Sequence, residues 1–315
     1  MNTKRLYNIG ISAIFVLSVL FISFSTITHA ANIIGTNYRN VTVHTQVNIT
    51  NSKPEVLAVA VYQDTNASLK NITLSGGSTR IVTCNASLRD WNGYADIVLV
   101  NATLWDALNS NSGAADNNNT HYTNTNCTNS GNGVNYTVNY LCNFSVLYYA
   151  NNGTWTCNVT AMDTYNKTGA NTNNTVIYPL YALNVTDGID YGNVAVEDYS
   201  TTVTANVTNF GNLPINISVE GYGAARGDGL AMTCLAFGSP SGNITVDNER
   251  FSAQNVAWGS KTALTSSAQN ITGLTISKQT VPSTPMVNST YWQLYIPPNP
   301  GGNCTGYVIF QAESS

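Results

Sequence analysis

The run from Asp90 to Asp96 carries the residue types that a calcium-binding loop uses. Asp90, Asn92 and Asp96 offer hard oxygen ligands at alternating positions around a glycine that permits a sharp turn. The run lacks the remaining positions of an EF-hand loop, and Asp163 would complete the set if its loop lies at the same end of the fold. An Asx turn between two strands explains the same residues without a metal, and we prefer this interpretation, with a calcium site as the alternative.

The sequence shows no pattern of a catalytic centre. After the N-terminal segment the histidines are His44 and His121, which lie far apart and belong to no metal-binding or nucleophile motif. Serine-nucleophile, phosphate-loop and dinucleotide-binding signatures are also missing from the sequence. The residues from Arg226 to Asp228 spell an Arg-Gly-Asp tripeptide, but the glycines around them favour an ordinary turn. We therefore expect no enzymatic activity and no required cofactor.

Charged residues are scarce throughout the 315-residue chain. Asp, Glu, Lys and Arg make up 9% of the residues, against about 25% in a typical soluble domain. The surface polarity comes instead from about 44 Asn and 39 Thr residues. With 12 basic and 16 acidic residues and a net charge of -4, the chain lacks the clustered cations that neutralise phosphates, so we expect no nucleic-acid partner.

Asn-x-Ser/Thr triplets are the most enriched signal in the sequence. There are about 21 of them, where the composition alone predicts roughly eight or nine. Between Val203 and Thr208 the apolar residues have one parity and Asn206 has the other, so this asparagine should point away from the core. We expect N-glycans on a secreted chain, and polar strand faces that drifted toward Asn and Thr are the alternative. The acceptors that we name are Asn40, Asn48, Asn71, Asn101, Asn158, Asn206, Asn216, Asn243, Asn270 and Asn288.

The N-terminus has the pattern of a secretory signal. Lys4 and Arg5 precede a long uncharged run that is dense in apolar residues, and small residues up to Ala30 suit cleavage. We expect residues 1–30 to be a signal peptide and the mature chain to lie outside the cell or on its surface. An uncleaved anchor helix is the alternative, and it would provide the chain's contact with a membrane.

The six cysteines indicate a disulfide framework, because a secreted chain matures in an oxidising compartment. Four of them lie in the first half of the chain and two in the second, which leaves three connectivities if the halves are not cross-linked. We favour the pairs Cys84–Cys157, Cys127–Cys142 and Cys234–Cys304. The last pair should project into a core from strands in two different sheets.

Alternation of apolar and polar residues predicts β-strands along the whole mature chain, without a competing helical pattern. The polar tract Asn109 to Asn135 reads as a long surface loop, and Asn166 to Thr175 reads as a domain boundary. The predicted domains are residues 31–175 and 176–315, each a β-sandwich. The predicted strands are Val41–Thr50, Val56–Tyr62, Thr79–Leu88, Ala95–Trp105, Asn135–Tyr149, Thr154–Ala161, Leu180–Val185, Thr201–Val207, Pro214–Tyr222, Leu230–Phe237, Tyr291–Ile296 and Thr305–Phe310.

Several segments resemble known immunoglobulin-like modules. The stretch from Val203 to Val219 resembles the strand, Asn-x-Gly-Asn turn and strand of such modules in archaeal surface and secreted glycoproteins. Other segments similar to the same class are Tyr291–Leu294, Gly301–Phe310, Asp90–Ile97 and Tyr148–Trp155. The resemblance implies an all-β fold with two immunoglobulin-like β-sandwich domains after the signal peptide.

These observations together favour a secreted or cell-surface structural glycoprotein in an envelope layer, filament or adhesive complex. Its partners would be other envelope or surface proteins, including copies of itself. The alternative is an extracellular module that binds carbohydrate or protein. An apolar edge strand complementary to another copy would favour assembly, whereas a contiguous exposed aromatic patch would favour the binding module.

Overall fold

The computed structural model describes residues 42–315 except 132, 187 and 237. The expected signal peptide and the sequon at Asn40 lie outside the described residues. The chain divides into two units, of which the second runs from Thr50 to Ser315. In the described part of the first unit, residues 42–49 form no strand, and Val43, Val47 and Ile49 are all more than 70% exposed. The strand expected from Val41 onward is therefore wrong for these residues.

The first half of the large unit is a sandwich of two antiparallel sheets, each with four strands. One sheet has the order β1-β2-β6-β5, and the other has the order β4-β3-β7-β8. The strands are β1 (Glu55–Gln63), β2 (Thr79–Arg89), β3 (Ile97–Asp106), β4 (His121–Asn124), β5 (Thr128–Asn129), β6 (Thr137–Leu147), β7 (Gly153–Asp163) and β8 (Thr168–Ile177).

Period-2 alternation builds the core of this first sandwich. In β7 every second residue from Trp155 to Ala161 is fully buried, and the same holds in β2 from Val82 to Leu88. The two buried rows face each other between the sheets, where Cys84 and Cys157 join them. The buried indole N–H of Trp155 keeps a hydrogen-bond partner, because it donates to the backbone carbonyl of Asn151 at 2.8 Å.

The second half of the large unit contains three antiparallel sheets, with the orders β15-β14-β17-β10-β9, β16-β11-β19 and β13-β12-β18. Its main core packs Trp292 against Phe251 and Phe310. The strands are β9 (Leu183–Val185), β10 (Val203–Asn209), β11 (Ile215–Tyr222), β12 (Leu230–Ala236), β13 (Ser239–Thr245), β14 (Glu249–Ser252), β15 (Thr262–Ala263), β16 (Gln269–Ile276), β17 (Met286–Leu294), β18 (Asn303–Thr305) and β19 (Tyr307–Ser314). Short 3₁₀ turns are present at Val246–Asn248 and Trp258–Ser260 in this half and at Tyr94–Asp96 in the first.

The predicted fold class is confirmed: the described chain is all-β, and its antiparallel sheets are consistent with immunoglobulin-like β-sandwich domains. The domain limits 31–175 and 176–315 stay a prediction. Among the described residues, the structure contains no helix with the length and apolar character needed to cross a membrane.

The stretch Asn166 to Thr175, which the sequence suggests as a domain boundary, is regular structure, because most of it forms β8 and pairs along β7. Its polar residues have partners in the fold. Asn171 and Asn173 donate side-chain hydrogen bonds to backbone carbonyls of β1, at 3.0 and 2.6 Å. These bonds fasten β8 to the edge strand of the other sheet, and they cannot be recognised from local composition.

The tract Asn109 to Asn135 is also more ordered than a surface loop. It contains β4, which adds to β3, and β5, which adds to β6, so it contributes an edge strand to each sheet. The disulfide Cys127–Cys142 holds the tract against β6.

All three disulfides have the expected partners. The placement of Cys234 and Cys304 differs from the expectation, because these residues are direct cross-strand neighbours in β12 and β18 of one sheet, with Cα atoms 3.9 Å apart. The prediction of strands in two sheets is wrong because the short strand β18 adds to the edge of β12.

Replacing both Cys234 and Cys304 by Ala should lower the free energy of unfolding by roughly 2 to 5 kcal/mol, measured by denaturant unfolding. The bond links residues 70 positions apart and so restricts the unfolded chain. The matched control is the double Ala variant of Cys127 and Cys142, which lie 15 positions apart. In the chain-entropy relation the control should lose about 1 kcal/mol less, and a larger loss in the control would contradict the prediction.

Candidate functional site

Three acidic side chains meet at one end of the first sandwich. Asp90 follows β2, Asp96 ends the 3₁₀ turn before β3, and Asp163 is the last residue of β7. Because β3 and β7 are paired with Ile97 opposite Asp163, their ends bring Asp96 and Asp163 together. One carboxylate oxygen from each of the three residues lies within 4.8 Å of the other two. We call this group the acidic centre.

Asp163 is fully buried and is the most strongly hydrogen-bonded member of the centre. Its Oδ1 accepts the backbone N–H groups of Tyr165 and Lys167 at 2.9 and 2.7 Å. Its Oδ2 accepts the side-chain amide of Asn51 at 2.7 Å. Burial alone would raise the pKa of Asp163, but these hydrogen bonds and the nearby Lys167 charge hold that pKa below its usual value.

Asp90 is in the opposite situation. It is fully buried, and its Oδ1 accepts one hydrogen bond, from the backbone N–H of Asn92 at 2.8 Å. Burial raises the pKa of Asp90, the Asn92 N–H opposes this effect, and the charges of Asp96 and Asp163 add to it. Asp90 is therefore the carboxylate whose negative charge the surroundings disfavour.

Three buried oxygen atoms in and beside the acidic centre have no hydrogen-bond partner among the residues that the structure describes. These atoms are Oδ2 of Asp90, Oδ2 of Asp96 and Oδ1 of Asn51. In the described part of the chain, no Lys, Arg or His nitrogen lies within 4.0 Å of these carboxylates. Buried polar atoms without partners are costly, and three hard oxygens in this position have the chemistry that a divalent cation such as Ca²⁺ satisfies.

The structure thus brings together three of the four residues that the sequence suggested. Asn92 has a different part, because its Oδ1 accepts the backbone N–H of Ser52 at 2.7 Å and fastens the entering chain to the loop. Sequence reasoning missed Asn51. Its contact with Asp163 spans 112 positions, so no local pattern could have indicated it.

A second feature is an open edge in the second sandwich. Strands β9 and β19 are the edges of the two facing sheets, and a cavity of about 330 Å³ lies between them. Its apolar lining includes Leu183, Val185, Val308 and Phe310. We call this cavity the edge groove.

The edge groove also contains a buried carboxyl group. Glu249 in β14 is 2% exposed, and its Oε1 accepts a hydrogen bond from the Tyr191 hydroxyl at 2.7 Å. Burial raises the pKa of Glu249 to about 7, and the Tyr191 hydrogen bond opposes part of that rise. Burial, together with the Glu249 charge, also raises the pKa of Tyr191 well above its usual value. No motif marks Glu249 in the sequence.

The proposed glycan acceptors among the described residues are accessible. Six are exposed, namely Asn48, Asn71, Asn206, Asn243, Asn270 and Asn288. Three are half-buried, namely Asn101, Asn158 and Asn216. Asn288 lies opposite the buried Val207, so it belongs to an inward-facing row and reaches solvent near the start of β17. Glycosylation stays a prediction.

The Arg-Gly-Asp tripeptide forms a turn. The Asp228 carboxylate accepts backbone N–H groups of Gly223, Ala224, Ala225 and Leu230, and Arg226 contacts the Glu220 carboxylate. The hydrogen bond from Ala225 and the other backbone donors lower the pKa of Asp228 to about 2. This carboxylate therefore organises the hairpin between β11 and β12.

The two histidines remain separate. His44 is exposed, whereas His121 is 1% exposed and places its Nδ1 3.0 Å from Oδ1 of Asp116.

No known protein family matches the sequence, and no curated protein matches it either. Solved structures with a similar fold include the chaperone and tip adhesion subunit pre-assembly complex of the archaic chaperone-usher Csu pili of Acinetobacter baumannii. That likeness has 10% identity and a TM-score of 0.36, and covers 77% of this chain and 96% of the other. The antigen I/II polypeptide BspA C-terminal domain of Streptococcus agalactiae matches with 12% identity, 83% and 96% coverage and a TM-score of 0.23.

The C-terminal domain of the antigen I/II-family protein AspA of Streptococcus pyogenes matches with 9% identity, 84% and 99% coverage and a TM-score of 0.25. The three structures named here come from bacteria, and none supports the archaeal origin that the sequence resemblance suggested. None of them assigns this chain to a family.

The pKa of Glu249 predicts a pH-dependent stability. The folded state keeps this proton up to about pH 7, whereas the unfolded carboxyl group releases it near its ordinary pKa of 4.5. The folding stability that protonated Glu249 contributes is fully present below the pKa of the unfolded group. It falls by roughly 3 kcal/mol as the pH rises to about 7. Urea unfolding between pH 4 and 8 should show this fall in the wild type and not in Glu249→Gln. Glu197→Gln, at an exposed position, should keep the fall.

Proposed function

We propose that this chain is a non-catalytic structural glycoprotein of a cell-surface assembly, in which copies join through the edge groove of the second sandwich. The observation that carries the proposal is an apolar sandwich edge left open between β9 and β19. Three disulfides support a location outside the cytoplasm, since such bonds persist in oxidising compartments.

A comparison of residue burial in two paired strands supports the view that this edge is incomplete. β11 pairs with β16 on one side and β19 on the other, and its inward residues Ile217 and Val219 are at most 1% exposed. Their direct partners in β19, Ala312 and Phe310, are only half-buried. Within the described chain β19 pairs with β11 alone, so its second edge presents unpaired backbone groups beside an apolar row. A further strand beside β19 would pair these backbone groups and cover the apolar row.

The occupant that we propose is the segment Thr42–Ile49 of a second copy. Val43, Val47 and Ile49 have the alternating spacing of a half-buried strand, yet they are exposed and form no strand. The intervening positions are polar and end in the Asn48 sequon. Addition of a strand to an exposed sheet edge uses main-chain hydrogen bonds for affinity and alternate side chains for specificity.

Val308→Lys should keep the protein monomeric, because it places a charge among the apolar residues of the edge groove. Gln311→Lys is the matched control, since Gln311 also lies in β19, is exposed and is not among the residues that line the groove. Electron microscopy and light scattering of the purified native protein should show ordered polymers for the wild type and the control. A folded Val308→Lys variant that polymerises like the wild type would refute the role of the edge groove.

The proposed occupant has its own matched pair of variants. Val47→Lys should reduce polymer formation, and Gln46→Lys should not, because the two residues have opposite parity in the segment. Equal polymer formation by both variants would exclude this segment as the occupant.

A binding function is the second candidate, and a particular surface favours it. Tyr199, Trp258 and Tyr295 form a cluster with ring centroids 4.9 to 6.5 Å apart, and the guanidinium of Arg250 lies 4.7 Å from the Trp258 ring centroid. Tyr199 is 48% exposed. An aromatic platform of this kind suits a sugar ring or a protein side chain. Glycan binding that is lost in Tyr199→Ala, in a chain that stays monomeric, would favour this function over assembly.

We also propose that the acidic centre holds Ca²⁺ in the assembled protein. Asp90, Asp96 and Asp163 would supply carboxylate ligands and Asn51 an amide oxygen, and water would complete the coordination. The ion would join the entering chain at Asn51 to the ends of three strands.

Ca²⁺ should raise the unfolding free energy of the wild type relative to EDTA, by about 2.7 kcal/mol at a hundred times the dissociation constant. Asp90→Asn should abolish this gain while making the protein more stable in EDTA, since one of three mutually repelling charges is removed. Asp64→Asn, which removes a partly exposed partner of Arg80, is the control and should keep the gain. Equal stability of the wild type in Ca²⁺ and EDTA would rule out the calcium site.

A further inference from the structure

Lys278 makes an unusual contact between the two sandwiches. It lies in the segment between β16 and β17 of the second sandwich, yet its Nζ contacts Oδ1 of Asn151 in the first. It also donates to the backbone carbonyl of Tyr149 at 3.3 Å. Asn151 lies in the turn between β6 and β7, 127 positions away in sequence.

A buried carboxylate holds the other end of the same amide. Asp106, the last residue of β3, is 2% exposed. Its Oδ2 accepts the Asn151 side-chain N–H at 2.7 Å and that of Asn109 at 2.6 Å. The Asn151 amide therefore has a primary amine against its carbonyl oxygen and a carboxylate on its nitrogen.

Buried residues pack beside this triad, in which Asp106 is buried and Lys278 and Asn151 are half-buried. Tyr148, Tyr149 and Gln279 are each at most 6% exposed, and the Tyr148 hydroxyl contacts the Gln279 side chain. The Tyr148 ring makes edge contacts with the Tyr149 and Phe210 rings, at 5.0 and 5.5 Å between centroids. Burial lowers the pKa of Lys278, although the charge of Asp106 opposes this, so the neutral amine becomes more accessible.

Lys278 differs from the other described lysines in the group that its Nζ contacts. In the part of the chain that the structure describes, it is the lysine whose Nζ lies at hydrogen-bond distance from an asparagine side chain. Lys261 is more deeply buried than Lys278, but its Nζ contacts a backbone carbonyl, that of Val256. Burial of a lysine alone therefore does not create the arrangement.

We propose that Lys278 and Asn151 form an intramolecular isopeptide bond that joins the two sandwiches covalently, with Asp106 as the catalytic residue. The proposal is independent of the edge groove and of the assembly function. Each of the three disulfides links residues within one sandwich, so this bond would be the covalent tie between them other than the main chain.

The chemistry balances without an oxidant or a cofactor. Asp106 takes one proton from the Lys278 ammonium, and the neutral amine then attacks Cγ of Asn151 to form the Nζ–Cγ bond. Asp106 returns its proton to Nδ2 and receives a second proton from Nζ as the Cγ–Nδ2 bond breaks. Ammonia leaves, and the proton that remains on Asp106 passes to this ammonia or to water. The reaction occurs once per chain and needs no second substrate.

Peptide mapping by mass spectrometry tests the proposal directly. The full chain is secreted into an oxidising compartment of a host without N-glycosylation and is digested with trypsin and a second protease. The expected result is a branched peptide that joins Asn151 to Lys278, lighter than the sum of its two parts by one ammonia, about 17 Da. Trypsin should not cleave after Lys278. Separate peptides, with Lys278 cleaved and Asn151 at its unmodified mass, would overturn the proposal.

Variants separate the nucleophile from the catalytic group. Lys278→Arg should lose the branched peptide because arginine does not attack an amide, whereas Lys261→Arg should retain it. Asp106→Asn should leave Lys278 and Asn151 unlinked in protein whose three disulfides are intact. Complete linkage in Asp106→Asn would remove Asp106 from the mechanism. If a variant does not fold, the wild-type peptide map alone still decides whether the bond exists.

Discussion

Every β-sandwich has unpaired backbone groups at the edges of its sheets, and these must be paired or covered. The two sandwiches of this molecule differ in how their edges meet this requirement. In the first sandwich the edge is closed from within. Asn171 and Asn173 of β8 donate to carbonyls of β1, and the backbone of Ile72 bridges to Val176 and Tyr178. Gly169 comes so close to Pro54 that a Cβ atom would lie 2.0 Å from the Pro54 carbonyl oxygen. Among the described residues of the second sandwich, none closes the edge at β19 in this way, and there the apolar row stays half-buried.

Because charged residues are scarce in this chain, each buried ionisable group indicates a particular role. With 9% charged residues, the chain could cover its surface with Asn and Thr and keep carboxylates out of the interior. It nevertheless buries Asp90 and Asp163 in one cluster, Asp106 beside an amide and a lysine, and Glu249 in the edge groove. Burying a charge without a partner is expensive, so such groups persist where a ligand, a proton or a covalent reaction uses them.

Sequence patterns predicted the features that depend on local order. Alternating apolar and polar residues identified β2 and β7 closely. The division of cysteines between the halves left three connectivities, and the favoured one is observed. Prediction failed where distant chain segments supply the stabilising contacts. The polar stretch that forms β8 has the composition expected of a domain boundary, and the partners in β1 that order it lie more than 100 positions away. Asn51 in the acidic centre and Lys278 beside Asn151 could not be inferred for the same reason.

The placement of the disulfides determines how the molecule would bear a pulling force. Cys84–Cys157 clamps the two sheets of the first sandwich, and Cys234–Cys304 clamps β12 to β18 in the second. Neither crosses from one sandwich to the other, where the connection runs through the short backbone after β8 and the contacts around Tyr148. Under tension, each sandwich would resist extension as a locked body, and the junction between them would determine whether the protein yields as a hinge or holds as a rigid rod.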